Sequence, residues 1–126
     1  MDENKVLDLI KAKDLIQLEV LTESGYDFVS LNKKYSLITY LIKCSDIEDQ
    51  ILIDILELFL GGGIEAKVKG KFKKQPIYIA AEKGFKKCYD LLLKYNGDEN
   101  SKFSPLGLHI LGIGKSAKEL IKERFI

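Results

Sequence analysis

Residues 75–100 read QPIYIAAEKGFKKCYDLLLKYNGDEN, and the order of residue types along them decides the fold. Pro76 suits the first turn of a helix, where a missing N–H loses no partner. Ala80 and Ala81 are small enough to let neighbouring helices approach closely. Gly84 supplies the positive φ that reverses the chain. A second helix then carries Leu91, Leu92 and Leu93 and ends at Asn96-Gly97-Asp98. The stretch therefore predicts two short helices joined by a tight turn.

The same order resembles an ankyrin repeat, whose pattern runs Thr-Pro-Leu-His, Ala-Ala, Gly, a Leu triplet, then a turn with Asp and a closing Asn. Pro76, Ile77, Ala80, Ala81, Gly84, Leu91 to Leu93, Asp98 and Asn100 carry the match. Gln75 stands where Thr is usual, Tyr78 where His is usual, and Asn96-Gly97 where the family has Gly-Ala. With Tyr78 in place, the family's Thr–His hydrogen bond at the helix start is absent.

Working outward, Leu58-Phe59-Leu60 aligns with the Leu triplet, Gly63 with the turn glycine and Lys67 with the closing Asn. The helix before them is expected at 36–44. It is separated from its partner by a polar connection around 45–50 that makes this repeat about six residues longer than the next. Residues 6–28 read as a degenerate first repeat, with apolar positions at helical spacing. The last segment restarts at Ser104-Pro105-Leu106 and offers Ala117, Leu120 and Ile121 as the buried stripe of a final helix. One domain over 1–126 is expected, an all-α, ankyrin-like α-solenoid of about four helix–turn–helix repeats near 4–32, 33–70, 71–101 and 102–126. Irregular terminal repeats are part of that expectation, since each exposes one face to water. A plain helical bundle would explain the helices but not the order of the boundary residues.

Composition agrees with a folded chain: 46% hydrophobic and 31% charged residues leave enough apolar surface to offset chain entropy. Apolar runs such as 51–60 fall well short of the roughly 20 residues that span a bilayer. The acidic opening Met1-Asp2-Glu3-Asn4 has no secretory pattern, so a cytoplasmic location is expected. Net charge is +1, yet residues 1–66 carry 13 acids and 6 bases while residues 67–126 carry 6 acids and 14 bases, −7 against +8. Such polarity steers an oppositely charged partner toward one half.

No constellation for catalysis stands out, and no cofactor or metal is expected. Gly114-Lys115-Ser116 ends like a phosphate-binding loop, but His109 occupies the position of its first glycine. The residues read better as a turn followed by Ser116 capping a helix, with Glu119 completing a capping box. Gly61-Gly62-Gly63 reads as the end of a helix. His109 is the single histidine and is expected on a helix, at a position that ankyrin repeats give to alanine. Cys44 and Cys88 form no CxxC pair and read as reduced residues in or near the core.

The segment Lys67-Val68-Lys69-Gly70-Lys71-Phe72-Lys73-Lys74 holds five lysines and one aromatic, and is expected to form the finger-like turn between repeats. Ankyrin proteins bind partners through such fingertips and the exposed positions of inner helices. Carried over by position, the resemblance implies Asn32, Lys33, Tyr35 and Lys43 in the second repeat. It implies Lys71, Phe72, Lys74, Glu82 and Lys83 in the third, and Phe103 in the fourth. Tyr35, Phe72 and Phe103 are candidate anchors, with lysines guiding approach. The alternative is that these lysines are merely solvated fingertips. The expected activity is stoichiometric binding of another protein by a chain monomeric when free, most sharply as an immunity protein or inhibitor that blocks a cognate toxin or nuclease. The other readings are a general adaptor and a basic-patch nucleic-acid binder. Against the last stand the near-neutral chain and its single arginine.

Overall fold

The computed structural model describes residues 2–70, 72–104 and 106–125. All of the regular secondary structure among them is helical, and they form two compact units, 1–64 and 65–126. No described helix is long and apolar enough to cross a membrane.

The first unit holds α1 (Glu3–Lys11), α2 (Leu15–Glu23), α3 (Phe28–Tyr35), α4 (Leu37–Lys43) and α5 (Gln50–Gly61). Apolar residues at helical spacing turn Val6 and Ile10 of α1, and Leu37, Ile38, Leu41 and Ile42 of α4, into the interior. Leu18 and Leu21 of α2 and Leu52, Ile55, Leu56 and Phe59 of α5 complete the core. Each such side chain contributes about 1.5–3 kcal/mol on burial. α1 packs on α4 and α2 on α5, so the first hairpin lies on the second with like helices together. Asp49 caps α5 by accepting from the Leu52 N–H at 2.9 Å, and Lys13 in the α1–α2 turn donates to the same carboxylate at 3.1 Å. The polar connection expected at 45–50 is present ahead of α5, tied down where the buried Ser45 hydroxyl donates to the Leu41 carbonyl at 2.8 Å.

One helix was not expected. α3 occupies the stretch that the repeat register assigns to a fingertip, so Asn32, Lys33 and Tyr35 lie on a helix. Its N-cap is Asp27, which accepts from the Ser30 N–H at 3.0 Å, and Phe28 and Leu31 give it a buried face. The chain breaks at Ser36, in the left-handed region at φ 51°, and resumes at once as α4. The Asn32 side chain bridges the break by accepting from the Leu37 N–H at 2.8 Å.

The second unit holds α6 (Pro76–Lys83), α7 (Lys86–Lys94), a 3-10 turn (Leu108–Leu111) and α8 (Ala117–Phe125). Pro76 starts α6, and Gly84 ends it at φ 73°, as the residue order requires. After α7 it is Asn96 that takes the left-handed conformation, at φ 71°, while a Cβ on Gly97 would stand 2.8 Å from the Leu92 carbonyl oxygen. This division of roles accounts for Asn-Gly where the family has Gly-Ala.

The fourth repeat departs from expectation. Pro105 lies outside the described residues, and the segment after it forms only the 3-10 turn, with His109 on that turn rather than on an α-helix. Gly107 and Gly112 flank the turn at φ 75° and 78°, a conformation that stops α-helix propagation on both sides. α8 forms where expected, with Ala117 and Ile121 buried and Leu120 half-buried. Ser116 and Glu119 make the capping box, Oγ and carboxylate each accepting from the other's backbone N–H at 3.2 Å. α8 packs on α6. Its Arg124 donates to the Glu82 carbonyl and lies over Gly84, placing a cation at the negative end of α6.

Candidate aromatic and lysine surface

The lysine-rich segment lies in a loop between α5 and α6, as expected, although Lys71 falls outside the described residues. Gln75 closes this loop: its side chain accepts from the Val68 N–H at 2.9 Å and donates to the Val68 carbonyl at 2.7 Å. The side chain that departs from the family's threonine thus holds the base of the finger.

Four of the residues implied by the resemblance meet in one cluster. Lys74, half-buried, donates to Glu82 at 2.9 Å and sits 5.0 Å above the Phe103 ring. Phe103 stacks on His109 at 5.2 Å and meets Tyr78 edge-on at 6.3 Å. Phe72 stands edge-on to His109 at 6.4 Å. The His109 ring is tied further by its Nδ1, which accepts from the Ser104 N–H at 3.1 Å. Tyr78 is buried, which pushes its hydroxyl pKa up, with the nearby Glu82 carboxylate adding to the effect and Lys74 opposing it. Phe72 is largely exposed while Phe103 is half-buried, so the cluster runs from the unit's interior to its surface.

The remaining candidates lie elsewhere. Lys83, on α6, places its ammonium 5.5 Å from the Phe85 ring. In the first unit, Lys33 and Lys43 are exposed in the last turns of α3 and α4. Asn32 is engaged in the α3–α4 junction. Tyr35 is half-buried and donates to Glu3 at 3.1 Å, alongside Lys34 at 3.0 Å; the Lys34 ammonium first and the Tyr35 hydroxyl second hold the Glu3 carboxyl below its ordinary range. A cleft of about 240 Å³ lined by Tyr26, Phe28, Val29 and Phe59 also belongs to this unit, below the roughly 300–1,000 Å³ typical of small-molecule sites.

Sequence reasoning passed over His109 as a helix residue and did not anticipate the exposure of Leu106, Leu108, Ile110, Leu111 and Ile113. A signal was available: Gly107, Gly112 and Gly114 crowd one short apolar run, and an interrupted helix cannot gather its apolar side chains into one buried stripe. Lys115 pairs with Glu123 and Ser116 caps α8, so the segment that ends like a phosphate loop serves the last helix. Among the described residues no group of three or more His, Cys, Asp and Glu is placed to hold a metal.

No family model matches the chain, and no solved structure matches it. Over 74 residues it is 39% identical to the putative ankyrin repeat protein FPV244 of Fowlpox virus (strain NVSL). The chain is similar to an ankyrin-repeat protein. The match takes in 57% of this chain and spans 11% of the viral protein's length. With like helices stacked in the first unit and the Pro76, Ala80-Ala81 and Gly84 hairpin in the second, the helical architecture agrees with that ankyrin-like reading.

Proposed function

We propose that the chain is a stoichiometric protein-binding module rather than an enzyme, with Phe72, Lys74, Glu82 and Phe103 at the centre of its binding surface. The observation that carries this reading is a set of aromatic rings held in place by stacking, a cation and a pinned loop, with Phe72 left facing water. An exposed aromatic already set against a neighbouring ring is the kind of residue that dominates binding energy. In its sharper form the module is an inhibitor of the immunity-protein kind, which neutralises a toxin by covering its working surface. The charge split supports this, because a half carrying −7 suits the basic cleft of a nuclease toxin. The similarity to a viral ankyrin-repeat protein supports the broader reading, a scaffold that joins proteins without inhibiting them.

Affinity capture from the native cell, followed by titration of the recovered protein, separates these readings. One tight partner whose own activity stops on binding is the expected result for an inhibitor, and several weaker partners the result for a scaffold. Phe72→Ala is expected to weaken the complex by roughly tenfold or more while leaving helicity and melting nearly unchanged. An unchanged affinity removes the surface, and salt-sensitive binding to arbitrary DNA or RNA in place of protein removes the reading.

A further inference from the structure

We propose that the second unit docks an acidic, amphipathic segment of a partner protein across Phe72 and the glycine-punctuated turn from Leu106 to Ile113. The inference rests on the protein-binding reading above and names the chemistry of what is bound. Leu106, Leu111 and Phe72 are 84%, 75% and 71% exposed, and Ile110 and Ile113 are exposed beside them. Phe72 borders this turn: its ring lies 3.1 Å from where a Gly107 Cβ would stand and edge-on to His109 in the middle of the turn. With Leu108 also exposed, six large apolar side chains on Phe72 and this short turn exceed the scattered single exposures that need no explanation.

The charge beside them selects the occupant. Lys69 and Lys73 stand on the loop that Gln75 closes, and Lys67 one residue outside it. All three are exposed and have no carboxylate partner among the described residues, whereas Lys74, Lys115 and Lys118 each face one. An occupant that covers the apolar turn and satisfies these ammonium groups carries leucine-like or phenylalanine-like side chains on one face and carboxylates on its flank. An anionic bilayer offers similar chemistry, but attachment to one draws on clusters of about 4–8 basic residues, and Lys67, Lys69 and Lys73 are only three. A short acidic segment needs only these few lysines to complement its carboxylates.

Panning a random peptide library on the intact protein tests this directly. Enriched peptides are expected to combine several Asp or Glu with Leu, Ile or Phe. The best of them, followed by fluorescence polarisation, is expected to lose roughly tenfold or more in affinity against the Lys67→Glu/Lys69→Glu/Lys73→Glu variant, and to weaken as salt rises. Leu106→Ser/Leu111→Ser is expected to lose as much with an unchanged helical spectrum, since both side chains are already in water. Basic or purely polar winners, no enrichment, or equal binding to both variants overturns the proposal. So does tighter binding to phosphatidylserine vesicles, or a self-association in sedimentation that Leu106→Ser/Leu111→Ser abolishes. A cellular partner captured through another face would overturn this inference while the protein-binding reading stood; enrichment of acidic amphipathic peptides without any cellular protein partner would do the reverse.

Discussion

In the first unit two helix hairpins lie together with α1 on α4 and α2 on α5; in the second, one hairpin, α6 and α7, is followed by a segment whose first helix never forms, and α8 turns onto α6. The stretch with the fullest ankyrin-like residue order therefore sits next to the most irregular one. What separates them is glycine. In 75–100 the glycines fall at helix ends, where they close turns, but in 104–114 Gly107 and Gly112 bracket a four-residue turn and keep the expected helix from propagating. Apolar side chains that a helix would gather toward the interior are left in water, while α8 covers α6 through Ala117, Ile121 and the Arg124 clamp.

The sharpest way to break this comparison is to cut one core side chain in each unit. Phe59→Ala, which removes a buried ring packed 5.4 Å from Phe28, is expected to cost about 3–5 kcal/mol in urea unfolding. Ile121→Ala on α8 is expected to cost about 2–5 kcal/mol. A loss near zero would mean that α8 is not part of the second unit's core.

Gly97→Ala probes the turn that follows α7. The new Cβ has to displace a backbone carbonyl 2.8 Å away, and a cost of about 1–3 kcal/mol is expected in the same measurement. A neutral result would show that the turn relaxes freely.

Asp49→Ala removes the α5 cap and the Lys13 contact, for about 1 kcal/mol. The Leu52 N–H first, and then Lys13, hold the Asp49 carboxyl below its ordinary range. A depressed carboxyl contributes stability that is complete above its unfolded value near 4 and is lost as the pH falls from there through the lower folded value. The melting difference between wild type and variant is expected to be full at pH 7 and to shrink as the medium is acidified below about 4. A difference that stays constant would assign the effect to packing.

The smallest effect expected is a gain. Ser36 holds a left-handed conformation at the α3–α4 junction, which costs about 1–2 kcal/mol in an L-residue, against about 0.5–1 kcal/mol of added chain entropy for glycine. Ser36→Gly is expected to raise the melting temperature slightly, and a fall would mean that the serine side chain holds the junction in some further way.

Much of the helical layout was readable from residue order because it depends on neighbours along the chain. Pro76, Gly84, the Leu triplet and the Ser116–Glu119 box act within a few positions of themselves, and each does what its type predicts. α3 escaped because its signals, an Asp27 cap and two apolar residues, are no stronger than those of a turn with polar residues around it, and burial of Phe28 and Leu31 tips the balance. Part of the candidate surface was readable too. Phe72, Lys74 and Phe103 were named by position, but the meeting of Phe72 and Phe103 on His109, with Lys74 over Phe103, depends on a 3-10 turn that brings Phe72 and His109, more than thirty positions apart, into ring contact.

By itself, the sequence determined the all-helical class, the hairpin at 75–100, the caps of its later helices and the separation of charge between the halves, since local sterics and hydrogen bonds suffice for these. Only the tertiary structure decided that α8 packs on α6, that Gln75 closes the lysine loop on Val68, and which apolar side chains stay exposed. Those outcomes depend on which distant surfaces remain open for burial, a competition that no window of neighbouring residues contains.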